Sequence, residues 1–90
     1  MQPFNNEQRQ EFQVNIDGEI AYMEYRLKEG VIYFMHTDVP EKLSGKGIGT
    51  SLAAFAFDYA KQQGLKVKVY CPFVQTYLKR HPELSPLIAQ

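Results

Sequence analysis

Tryptophan is absent from this 90-residue chain, and cysteine occurs once, at position 71. A single cysteine excludes an internal disulfide and a cysteine-based zinc site. The two histidines, His36 and His81, stand too far apart for a metal-ligand spacing, so no metal is expected. No sign of charge dominates, since ten basic and ten acidic residues cancel. That balance predicts neither nucleic acid nor a membrane as the main partner. An anionic ligand would need backbone dipoles or a few placed cations. Long apolar runs are missing too. The longest, residues 52–57, falls far short of the roughly 20 residues needed to cross a bilayer. Residues 1–10 are polar and hold no stretch of the signal-peptide kind. The expectation is a cytoplasmic protein.

What is present suits one small domain. Apolar residues make up 44% of the chain, enough for a core, and charged residues only 22%, which argues against disorder. Residues 1–10, rich in Gln and Asn, are expected to form a flexible N-terminus, with 11–90 as the domain. Phe12, Val14 and Ile16 alternate with polar residues and predict a half-buried strand. Asp17-Gly18 is a strong hairpin signal. Residues 19–27 alternate again, with Ile20, Tyr22 and Tyr25 interleaved with Ala21 and Met23. After Lys28-Glu29-Gly30, residues 31–39 form a third strand, which Pro40 ends for want of a donor.

Residues 50–63 read as a helix, with Leu52, Ala53, Phe55, Ala56, Tyr59 and Ala60 on one stripe and Gly64 as terminator. Residues 65–71 form a fourth strand stopped by Pro72, residues 73–80 a short helix, and residues 81–90 a tail packed by Leu84, Leu87 and Ile88. The order is β-β-β-α-β-α. The three short-linked strands make an antiparallel meander, and the helical connection adds one parallel crossover strand. The predicted class is α+β, a mixed sheet with both helices packed on it.

Between the third strand and the first helix lies Ser44-Gly45-Lys46-Gly47-Ile48-Gly49-Thr50. The first turn of a helix has unpaired N–H groups and the positive end of a dipole. Glycines let the backbone curve and let a phosphate approach closely. Gly45, Gly47 and Gly49 would bare N–H groups around an anion, Lys46 would add charge, and Ser44, Thr50 and Ser51 carry hydroxyl donors. The loop fits neither the Walker pattern, since Gly47 follows Lys46, nor the dinucleotide fingerprint. A glycine-rich lead-in with no ligand is the alternative.

Residues 39–52, Val-Pro-Glu-Lys-Leu-Ser-Gly-Lys-Gly-Ile-Gly-Thr-Ser-Leu, resemble motif A of GNAT N-acetyltransferases. The family usually carries Arg or Gln at the position of Ser44, but the backbone cradle does not depend on that side chain. His36-Thr37-Asp38-Val39-Pro40 before the loop resembles the short, single-domain members, as do Cys71-Pro72-Phe73-Val74, Tyr77 and His81-Pro82-Glu83 after it. The resemblance covers residues 12–84. It implies a GNAT-like mixed sheet, acetyl-coenzyme A as cosubstrate, and acetyl transfer to an amine. The diphosphate would lie on the backbone of residues 44–50, Ile48 included, with Val39 and either Thr37 or Asp38 lining the pantetheine where the parallel strands splay.

Acetyl transfer needs a positioned acceptor, a base, and stabilisation of charge on the carbonyl oxygen. Cys71, before a helix, is a candidate nucleophile close to the acyl group, or else a small buried hydrophobe. Tyr77 matches a position where many GNAT enzymes carry a tyrosine that protonates the leaving thiolate; it is equally a core aromatic. His36 is a candidate base by type, or a simply hydrogen-bonded strand residue. Lys79, Arg80 and His81 form a basic cluster for the coenzyme 3′-phosphate, or a solvated helix end. The short members lack the first helices that build an acceptor site, so a homodimer or a large protein acceptor would supply the missing wall. The competing reading is a module that binds acetyl-coenzyme A or a protein without turnover.

Overall fold

Phe12 and Val14 alternate with Gln13 and Asn15, while Ala21, Met23 and Tyr25 alternate with Tyr22 and Glu24. Period-two patterning puts one set on the core side of a sheet. In the computed structural model, which describes residues 2–89, the inward set is buried and the outward set faces away from both helices. Five strands form one sheet in sequence order: β1 (Phe4–Asn6), β2 (Glu11–Ile16), β3 (Glu19–Lys28), β4 (Val31–Asp38) and β5 (Lys66–Val69). The first four pair antiparallel, and β4 pairs parallel with β5. Helix α1 (Ile48–Gln62) connects β4 to β5, and α2 (Pro72–Arg80) follows. The class is α+β, with the mixed sheet expected.

The expectation that residues 1–10 fray is corrected for those described. Phe4–Asn6 is an edge strand on β2, and the Tyr25 hydroxyl donates to Asn5 Oδ1 at 2.7 Å. Edge strands tolerate Gln and Asn because one side of their ladder meets water. Met1 lies outside the described residues. Within β3 the buried residues are Ala21, Met23 and Tyr25, whereas Ile20 is 44% exposed on the other face.

One core joins the sheet to both helices. Phe12 is its hub, stacked on Tyr25 at 4.6 Å between ring centroids and edge-on to Phe55 and Tyr59 of α1. Leu52, Ala53, Ala56, Phe57 and Ala60 of α1 and Val74 of α2 bury against the same cluster. Helix α1 ends in a Schellman motif, with Leu65 N–H bonded to Ala60 C=O and Gly64 N–H to Lys61 C=O. The outer edge of β5 is covered by the C-terminal segment, where Ala89 N–H donates to Val67 C=O at 2.8 Å.

A bulge in β4 decides what the fold can hold. Glu24 faces His36 and Tyr25 faces Phe34, leaving Met35 without a partner. The extra residue reverses the alternation, so Phe34 points inward and so does Thr37, opposite buried Met23. Pairing between β4 and β5 stops at Phe34 and Val69. Tyr70 and Cys71 both donate to the Phe34 carbonyl, at 2.9 and 3.2 Å, and no ladder bond follows. Beyond that point the parallel strands part.

Candidate functional site

The glycine loop runs beside this parting. After Pro40, a 3-10 turn (Glu41–Leu43) buries Leu43 and delivers the chain to Gly45 and Gly47, with φ of 77° and 72°. An alanine in that left-handed region costs roughly 1–2 kcal/mol, which accounts for glycine at both positions. Gly47 caps α1 without a side-chain bond, and Ile48 is already helical, two residues earlier than the pattern predicts. The first bond of the helix runs from Ser51 N–H to Gly47 C=O at 3.0 Å. The amides of Ile48, Gly49 and Thr50 therefore have no intrahelical acceptor. No acidic side chain occupies the first turn to meet the positive dipole end.

These groups border a cavity of about 380 Å³, within the usual size of small-molecule sites. Thr37, Val39, Ser44, Gly45, Gly47, Ile48, Gly49 and Thr50 line it, which brings together eight of the residues expected to hold the coenzyme. Leu43 and Phe73 line it too, and neither was expected. Leu43 carried no polar signal. Phe73 read as the start of a short helix, and nothing in residue spacing brings that turn against Gly49. Gly49 needs its missing side chain for this contact, because a Cβ there would lie 2.8 Å from Phe73 Cζ.

The remaining candidates fall in different places. Cys71 is 2% exposed, caps α2, and sits 3.2 Å from Thr37 Oγ1 through Sγ. Ser44 spends its hydroxyl locally, donating to Glu41 C=O at 2.8 Å. Lys46 is exposed and outside the cavity wall, as is Arg80 at the end of α2. His36 is exposed on the helix-free face, its ring 6.2 Å from that of Tyr22. Tyr77 lies away from the cavity, stacked between Phe57 at 5.9 Å and His81 at 4.3 Å. Burial, with Glu83 second, pushes its phenol above the ordinary tyrosine value.

The helix-free face holds a second depression lined by Asn6, Arg9, Glu11, Gln13, Ile20 and Tyr22. Its polar groups satisfy one another: Gln13 Nε2 and Arg9 Nε both donate to Glu11 Oε1, at 2.7 and 3.4 Å. Burial, then Asp38, Glu11 and Glu24, raises the Tyr22 pKa. Among the described residues no three His, Cys, Asp or Glu side chains form a metal-binding group, and no helix is long and apolar enough to cross a membrane.

This geometry has counterparts. The profile of the GCN5-related N-acetyl-transferase family matches residues 11–87. Protein NATD1 of Mus musculus is 32% identical over 82 residues, covering 87% of this chain and 74% of the mouse protein. Protein NATD1 of Homo sapiens is 30% identical over the same length, with 72% of the human protein covered. A solution structure of a GCN5-like protein from Staphylococcus aureus superposes with a TM-score of 0.76 at 23% identity, covering 98% of this chain and 87% of that one. The chain belongs to the GCN5-related N-acetyltransferase family.

Proposed function

We propose that this protein binds acetyl-coenzyme A in the glycine-lined groove and transfers the acetyl group directly to an amine. The observation that carries the reading is the row of free amides at Ile48, Gly49 and Thr50, beside the point where β4 and β5 part. The residues fit the cosubstrate. Donors with no acceptor and no competing carboxylate suit a diphosphate. Gly45 and Gly47 leave open space where side chains would stand. Lys46 within the loop, and Arg80 further out, place positive charge near the groove of a molecule with no net charge.

When bound, acetyl-coenzyme A supplies an activated acyl group, and the chain supplies placement. Thr37 and Val39 line the arm leading to the acyl end, where the β4 edge no longer pairs with β5. The acceptor approaches from the helix-free face, on which His36 stands next to the bulge and takes the amine proton. Cys71 meets Thr37 where the strands part and forms no acyl intermediate. Tyr77 packs between Phe57 and His81, and solvent protonates the departing thiolate.

No helix covers the face that would hold the acceptor, which favours a large acceptor bringing its own wall, and equally favours binding without turnover. Incubation with radiolabelled acetyl-coenzyme A separates these readings. Label moved to an added amine supports the transferase. Label retained on Cys71 after denaturation supports a covalent route, and saturable binding without transfer supports the module.

A further inference from the structure

We propose that Phe73 is a positioning residue for the pantetheine arm of the coenzyme, a role that rests on the acetyl-coenzyme A reading above. Pro72 starts α2 directly after Cys71, so Phe73 projects from the first turn of that helix. Its ring lies on the Cα of Gly49, where an added Cβ would meet Cζ at 2.8 Å and Cε2 at 3.1 Å. Seated there, Phe73 is 42% exposed, whereas Phe57, on the same pair of helices, is 2% exposed. The exposed ring surface borders the groove, which is otherwise glycine, hydroxyl and aliphatic.

Position along the groove assigns the ring its partner. The anion cradle is at one end, and Thr37, bonded to Cys71, is at the other. Phe73 is two residues from Cys71 and touches Gly49, so it stands between those ends. The stretch of coenzyme joining diphosphate to thioester consists of methylenes, a dimethyl carbon and two amides. Such a chain gains by covering aromatic surface and by losing freedom against a fixed wall. The diphosphate and the adenosine beyond it draw nothing from the ring. Phe73 thereby sets the path of the arm toward the strand gap, and it separates coenzyme A from fragments that lack the arm.

The experiment compares coenzyme A with ADP, which keeps the diphosphate and lacks the arm, by calorimetric titration of the full chain. Phe73→Ala is expected to weaken coenzyme A by about tenfold or more and ADP by no more than about twofold. Equal losses for both ligands, or no loss for either, overturns the proposal while the cradle stands. Wild-type protein that binds neither ligand overturns both. Should the alanine variant not fold, Phe73→Trp carries the test, because the chain has no tryptophan of its own. Its emission is expected to shift to the blue with coenzyme A and to stay in place with ADP. An emission that coenzyme A leaves unmoved, or that ADP moves equally, contradicts the assignment.

Discussion

Thr37 Oγ1 and Cys71 Sγ meet at 3.2 Å across the two strands that have just parted, one from each side of the gap. The contact exists because the bulge at Met35 turns Thr37 toward the core, where Cys71 is already buried. It links the two chain segments at the mouth of the gap. On the proposed direct transfer this buried thiol is no nucleophile. Cys71→Ala should keep acetyl transfer within about threefold of wild type, whereas removal of a true nucleophile costs orders of magnitude. Transfer rates with an added amine, and label on denatured protein, check this.

Gly49 differs from its neighbours in why it is glycine. Gly45 and Gly47 have positive φ, and nothing stands within 4 Å of an added Cβ; Gly49 has Phe73 at 2.8 Å. Gly49→Ala should cost the fold no more than about 1 kcal/mol, because the part-exposed Phe73 ring can give way and alanine is the better helix former. Combining it with Phe73→Leu should recover part of that loss, because the two positions share one contact. Gly47→Ala should cost more, through backbone strain, and gain nothing from Phe73→Leu. Denaturant midpoints of the single and double variants decide it.

The meander, the crossover helix and the glycine loop that starts it were legible because each rests on local rules. Alternation, the Asp17-Gly18 turn and the glycines before an apolar stripe act within a few residues. The bulge was hidden. Ile32, Tyr33 and Phe34 are apolar at both parities, so a reversal of phase after Phe34 leaves no mark in the pattern. Phe73 was missed for a related reason, since only the packing of α2 on α1 brings it over Gly49. Residues 4–6 show no apolar alternation, and their pairing depends on β2 being there to receive them. Tyr77 sits at helical spacing from Phe73, a spacing that fits either a core or a catalytic role; the stack with Phe57 and His81 settles its surroundings.

The edge strand should contribute measurably to stability. Asn5→Ala removes the acceptor of the Tyr25 hydroxyl, a bond of 2.7 Å next to the Phe12 stack. The expected loss is about 1 kcal/mol. Phe12→Ala, at the centre of the aromatic cluster, should cost about 3–5 kcal/mol. Urea unfolding of both variants gives the comparison, and an Asn5→Ala variant as stable as wild type would mean that β1 is not docked.

Alkaline pH should weaken the fold. Burial raises the phenols of Tyr25 and Tyr77 above their ordinary value. The folded chain thus holds these protons more tightly than the unfolded chain does. The stability they contribute is complete below the unfolded value of about 10, and it is lost as pH rises through the folded values. Melting temperature should fall above about pH 10, and more gently in Tyr77→Phe, which keeps the stack and cannot ionise. The same variant should retain acetyl transfer at neutral pH if solvent protonates the thiolate.

The account depends on the free amides of the α1 first turn taking up a diphosphate. Thermal unfolding with acetyl-coenzyme A, titrated to about a hundred times its Kd, measures this directly. A ligand at that level adds about 2.7 kcal/mol, which in a domain of this size raises Tm by roughly 10 °C or more. The predicted result is that rise, reduced in Gly47→Ala. A melting temperature that millimolar coenzyme leaves unchanged would contradict it.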